Sequence, residues 1–198
     1  MRRLGLKFSA ALLAVLSLVE FGQAGWIHAK ALVAQELLLS AWERTLDGEQ
    51  RVRPWPWADT SIVGLLEVPG QRIKQVVLEG DSGRVLAFGP GKSAYSSPAA
   101  RITILGGHRD THFEFLQFVV PGDLIRLSVA EGATEYRVRS ISVSDQPQLT
   151  IANDRSVQTL LLVTCYPFDA LQSGGHQRFV VYAEAVNRLT PGGLPDYI

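Results

Sequence analysis

Three residue types that cooperate in acyl transfer stand at three strand-to-loop junctions of this 198-residue chain. Cys165, its one cysteine, ends the apolar run Thr159-Leu160-Leu161-Leu162-Val163-Thr164 and is followed by Tyr166-Pro167. His108 comes directly after Ile104-Leu105-Gly106-Gly107, and Arg178 opens Phe179-Val180-Val181 after a Gly174-Gly175 loop. A thiolate attacks carbonyl carbon, and an imidazole passes protons near neutral pH. A guanidinium keeps its charge and can hold a developing oxyanion. The set therefore points to transfer through a thioester. Taken singly, each has a plainer reading: a small buried thiol, a capping histidine, a surface arginine paired with an acid.

His112 competes with His108 for the role of acid and base. The two form an i,i+4 pair that could hold zinc on a helix with a third ligand, but the His-Glu-x-x-His pattern is absent, so no metal is expected. Asp110 and Glu114 are candidates to orient a histidine, or acceptors for Arg109. His176 could line the same cleft, or be a solvated loop residue.

The elements that must present these groups read as strands. Ser61 to Val68, Ile73 to Leu78, Val85 to Phe88, Arg101 to Leu105, Leu124 to Val129, Tyr136 to Val143, Gln158 to Thr164 and Arg178 to Ala185 are short and rich in β-branched or aliphatic residues. Gly and Pro punctuate them at Pro69-Gly70, Gly80, Gly89-Pro90-Gly91 and Pro121-Gly122. Eight such segments with few long helices argue for a mostly β fold, a closed or nearly closed antiparallel-rich barrel. Thr111 to Val120 fits a short helix or turn over one barrel end. Arg53-Pro54-Trp55-Pro56-Trp57 reads as an extended, packed strap, because each proline disfavours helix in the residue before it.

The amino end has a different pattern. Arg2, Arg3 and Lys7 precede an apolar run from Phe8 to Val19; counted from Leu4 it is 16 residues, against the roughly 20 of a comfortable span. Extension through Trp26 and Ile27 supplies the missing length. The expectation is an N-in, C-out membrane anchor, with a cleaved export signal as the alternative. Either puts the domain outside the cytoplasm. Trp26 to Thr45 has helical spacing and reads as a lead-in helix ending before Asp47-Gly48. The expected organisation is an anchor or signal over 1–27, a lead-in helix and Pro/Trp strap over 28–60, and a catalytic barrel over 61–198.

Composition excludes some classes. Lys plus Arg and Asp plus Glu both number 19, for a formal charge of zero, so there is no basic excess of the kind general nucleic-acid binding uses. One cysteine forbids an intrachain disulfide and a multi-cysteine zinc site.

With these residues in view, the chain resembles the sortases, membrane-anchored cysteine transpeptidases built on an eight-stranded β-barrel. Gly107-His108 matches the family's histidine, Leu161-Leu162-Val163-Thr164-Cys165 its Thr-Leu-x-Thr-Cys strand, and Arg178 the arginine opening the next strand. Leu161 departs from the pattern where threonine is usual, which removes a hydroxyl from the floor of the peptide groove. The fuller run His108-Arg109-Asp110-Thr111-His112-Phe113, with Thr164-Cys165-Tyr166-Pro167-Phe168, looks like the sortases of Gram-negative proteobacteria.

The resemblance implies His108, Cys165 and Arg178 as catalytic residues and no required cofactor. It also implies a substrate protein with a carboxyl-terminal sorting peptide of the Leu-Pro-x-Thr kind and an amine acceptor. The expected location is the inner membrane, crossed once, with the catalytic domain on the periplasmic side. Some sortases order a substrate loop with calcium, but no acidic cluster between Glu131 and Asp154 predicts that here. Two rivals stand beside this reading. One is a membrane-tethered barrel that binds a peptide around a buried thiol. The other is a cell-wall L,D-transpeptidase-like enzyme, which the apolar approach to Cys165 and the distance to Arg178 disfavour.

Overall fold

A computed structural model describes residues 17, 30, 33–145, 156–170 and 175–189. Eight strands close into a barrel in the order β1-β2-β3-β4-β7-β8-β6-β5. They are β1 (Ile62–Val68), β2 (Ile73–Glu79), β3 (Gly91–Lys92), β4 (Ile102–Gly106), β5 (Leu124–Val129), β6 (Gly132–Ser144), β7 (Thr159–Cys165) and β8 (Arg178–Leu189). Pairing is antiparallel except for β2 with β3 and β4 with β7. The mostly β, eight-stranded closed barrel with short helices is therefore the observed architecture.

Side chains alternate across each strand, and the burial pattern separates the two faces. Leu66, Val68 and Val77 join Leu105, Leu160, Leu162, Val181 and Ala183 in the barrel interior. Ile62, Leu65, Val76 and Leu78 point the other way, into a second cluster with Leu38, Ala41, Trp42 and Val52. Both faces of β1 and β2 are thus covered, which explains why β1 has little polar alternation.

The second cluster is supplied by the helix of residues 33–46, α1. The chain divides at residue 37, and it is the portion from Leu38 onward that carries these contacts. The helix ends at the turn expected from Asp47-Gly48: Asp47 N–H donates to the Glu43 carbonyl, and Gly48 takes φ of 97°.

The membrane helix and membrane lead-in assigned to the amino end, and with them the single-pass inner-membrane location, require correction. Among the described residues no helix is long and apolar enough to cross a membrane. Glu36, Glu43 and Arg44 place charge along 33–46, which no bilayer core would tolerate cheaply. Residues 1–16 and 18–27, where the anchor was expected, lie outside the described residues.

One strand assignment also changes. Val85 to Phe88 is not a strand; Gly83–Leu86 forms a short helix, α2, with Ser82 Oγ accepting from Val85 N–H at 3.5 Å. A four-residue apolar run does not separate the two states by periodicity. The third strand lies instead in the following Gly-Pro-Gly punctuation. Gly91 fits there because a side chain would overlap the Gly80 carbonyl oxygen.

The Pro/Trp strap bends at Trp55, whose carbonyl accepts from Ala58 N–H at 3.0 Å. Trp55 meets Phe88 edge-on at 4.9 Å, whereas Trp57 is exposed. Between β4 and β5, Glu114–Phe118 is a 3-10 helix that caps the interior with Phe115 and Leu116.

Candidate functional site

Strand register brings two of the three candidate residues together and places the third just beyond the end of a neighbouring strand. Cys165, the last residue of β7, lies directly across from Arg178, the first of β8. On the other side β7 runs parallel to β4, from Ile102 opposite Thr159 to Gly106 opposite Val163. The offset continues past the end of β4. Gly107 N–H donates to the Val163 carbonyl at 3.3 Å, and the Thr164 hydroxyl donates to the Gly107 carbonyl at 2.7 Å. The β4 ladder itself ends at Gly106, and His108 lies in the turn that follows.

Alternation then fixes the face. Leu160, Leu162 and their β8 neighbours Val181 and Ala183 point inward. Leu161, Val163 and Cys165 therefore share the outer face with Arg178. Cys165 is half-buried and His108 exposed. Four residues back along β7, Leu161 is buried between Ile104 and Tyr182 in the register. That is the outward floor where the missing threonine hydroxyl would have been.

Only one of the two glycines before His108 is sterically required. A Cβ on Gly107 would stand 2.7 Å from Cγ of the fully buried Phe113, whereas one on Gly106 would meet nothing within 4 Å. Phe113 folds back beneath Gly107, and its N–H donates to the His108 carbonyl at 2.9 Å. Gln75 Nε2, from β2, holds the far end of the turn by donating to the His112 carbonyl at 2.8 Å.

His112 lies near His108 but in a different setting. Burial holds its pKa below the ordinary 6.5, the proximity of His108 lowers it further, and a hydrogen bond to the Ala87 backbone works the other way. Asp110 and Glu114 are exposed. Arg109, instead of pairing with them, is buried and donates from Nη2 to the Ala170 carbonyl at 3.0 Å. His176 is exposed in the loop before β8. Among the described residues, no group of three or more His, Cys, Asp or Glu side chains converges as a metal site.

Two features escaped the sequence. The Tyr166 N–H, a candidate oxyanion donor, is committed to the Gln177 carbonyl at 3.1 Å. Arg178 Nη1 donates to the carbonyls of Gly175 and Gln177, which fixes the guanidinium at the rim. No residue-type signal foretells such backbone pairings. Tyr166 stacks with Phe179 at 6.1 Å, and Phe168 meets Phe179 edge-on at 5.1 Å, so the nucleophile's successors are locked to the start of β8.

Against known proteins, the family model described as "Sortase domain" matches residues 66–186. Sortase A from Corynebacterium diphtheriae is similar in structure, with TM-score 0.59 and 20% identity over 80% of this chain and 86% of that one. Sortase E1 from Streptomyces coelicolor, solved with a tripeptide in its active site, gives 0.54 and 24% over 68% and 94%. Sortase C from Clostridium perfringens, solved with the C-terminal cell wall sorting motif, gives 0.55 and 19% over 80% and 90%. At these identities the likeness concerns the fold. No curated protein matches by sequence. The narrower resemblance to sortases of Gram-negative proteobacteria is corrected here, since the similar structures are sortases of Gram-positive bacteria. The short run from His108 to Phe113 pointed to a subgroup that these comparisons do not support.

Proposed function

The chain belongs to the sortase family, and from that premise we propose that it is a cysteine transpeptidase acting on the sorting peptide of a substrate protein. The observation that carries the reading is Cys165 directly across from Arg178 at the ends of β7 and β8, with the His108 turn following β4, the other neighbour of β7. A half-buried thiol at that strand end also weighs against a barrel whose cysteine is merely core.

In the proposed cycle the peptide lies on the outer face of β4 and β7, over Ile104 and Leu161. The Cys165 thiolate attacks the scissile carbonyl carbon, forming the C–S bond and an oxyanion. Arg178 faces that oxyanion. With Nη1 held by the two loop carbonyls, its Nε and Nη2 are the donors to offer. His108 protonates the departing amine, the C–N bond breaks, and a thioester remains on Cys165. An amine acceptor then gives its proton to His108 and attacks the thioester, which releases the thiol and completes a new amide. Water in the acceptor's place gives hydrolysis. The two similar structures solved with a tripeptide and with a sorting motif support a short peptide as the ligand class, and Leu-Pro-x-Thr peptides are the first to try.

Intact-mass measurement of the full chain incubated with such peptides tests the proposal. The expected result is a thioester adduct on Cys165, absent in Cys165→Ala, with turnover lost in His108→Ala and retained in His112→Ala. A thiol that reacts with a general alkylating reagent only after denaturation would overturn it.

A further inference from the structure

Arg109 is a buried charge for which the transfer chemistry has no use. It is 7% exposed, and a charge at such depth is costly to leave without hydrogen bonds. Nη2 donates to the Ala170 carbonyl at 3.0 Å, across 61 residues of sequence. Ala170 itself closes the turn after the nucleophile, its N–H reaching the Pro167 carbonyl at 3.5 Å. One residue thus runs from the backbone next to His108 to the loop behind Cys165.

We infer that Arg109 is a positioning residue, whose guanidinium ties the His108 turn to the Pro167–Ala170 turn and so fixes the imidazole against the thiol. The inference rests on the transpeptidase reading. The need for such a tie follows from where the ladder stops. Backbone pairing fixes Gly107 through Val163 and Thr164, but His108 lies one residue beyond. Its turn is closed internally by Phe113 N–H and clamped to β2 through Gln75. Those contacts hold the turn to itself and to the side away from Cys165. Arg109 supplies the connection on the near side. Displacing a reacting group by about 1 Å can cost on the order of 100-fold in rate, so a tie at this point governs the chemistry without touching substrate. Lysine would keep the charge but replace the planar fork with a point donor, and should restore the geometry only in part.

The pH–rate profile of Cys165 alkylation by iodoacetamide, measured on the full chain, needs no substrate. Wild type, His108→Ala, Arg109→Met and Arg109→Lys are compared, each checked for cooperative thermal unfolding. Loss of His108 should displace the profile, Arg109→Met should displace it in the same direction, and Arg109→Lys should fall between. With a peptide substrate, Arg109→Met should lower kcat about 10- to 100-fold and leave KM within about 2-fold. A folded Arg109→Met with the wild-type profile overturns the inference; should that variant not fold, Arg109→Lys is judged by the same standard. If His108→Ala moves the profile and the arginine variants do not, the inference alone fails. If His108→Ala leaves it unmoved, the transpeptidase reading fails and takes the inference with it.

Discussion

The rim formed by β4, β7 and β8 differs sharply from the flank around Phe118. That flank holds two open grooves of about 520 and 460 Å³, lined by residues such as Gln71, Ile73, Phe115, Leu124 and Arg137. Neither groove is lined by His108, Cys165 or Arg178. At the rim, ladder pairs set Cys165 opposite Arg178, and short bonds tie Gly107 to β7. What separates the two is positional certainty: strand ends are placed by backbone hydrogen bonds, and a surface hollow is defined by space alone. Chemistry needs the first, and room alone does not supply it.

The largest effect on this contrast should come from Gly107→Ala. The new methyl must displace Phe113 from a fully buried site, an overpacking cost of about 1–3 kcal/mol, and should misplace His108 as well. Denaturant unfolding and kcat should both fall. Gly106→Ala, one residue away with open space around it, should stay within about 0.5 kcal/mol of wild type. Equal effects at the two glycines would break the comparison.

Thr164→Val comes next. It removes the 2.7 Å bond to the Gly107 carbonyl and leaves that buried acceptor unpaired, at about 1–3 kcal/mol. The denaturation midpoint should drop, and alkylation of Cys165 should lose part of its sensitivity to His108→Ala.

His112 should produce a smaller, pH-dependent effect. Its folded pKa lies below 6.5, chiefly through burial. Above pH 6.5 the ring is neutral in both states and the fold is unpenalised. As pH falls below 6.5 the unfolded chain takes up a proton that the folded ring resists, so stability declines until the folded pKa is passed. Urea midpoints between pH 7.5 and 5 should show that decline, and His112→Gln should flatten it.

Smallest of all, Phe118→Ser on the groove flank alters a side chain that is 67% exposed. Stability should shift by no more than about 0.5 kcal/mol, with turnover of a test peptide unchanged. A large loss of turnover would show that the grooves take part in the chemistry after all.

Much of the rim was written in the residues. Period-two alternation placed β7 and β8, and an apolar run ending in Thr164-Cys165 before Tyr166-Pro167 marked a strand end. Gly106-Gly107 announced close backbone approach, although which glycine was needed depended on Phe113 returning from six residues later. The flaws have equally local causes. Val85 to Phe88 is too short to reveal its period, and Ser82 capping decided for helix. Arg109 was read as a partner for Asp110 or Glu114, whereas it donates to a backbone carbonyl 61 residues away, which carries no residue-type signature. The terminal apolar run resembled a span by composition, while the described helix beside it is set by packing of Leu38, Ala41 and Trp42.

The parallel pairing of β4 with β7 has a kinetic consequence. Every contact in that ladder joins residues 57 apart in the chain, so no short fragment containing Cys165 can assemble the rim. Closing loops of that length carries an entropic cost before any bond repays it, and topologies dominated by such contacts fold slowly. The Cys165 strand therefore joins β4 only after both halves of the chain have found each other. In a refolding experiment, catalytic competence should rise with the last cooperative phase, later than the β5–β6 hairpin whose partners are sequence neighbours. A chain still emerging or partly folded would carry a cysteine but not yet an enzyme.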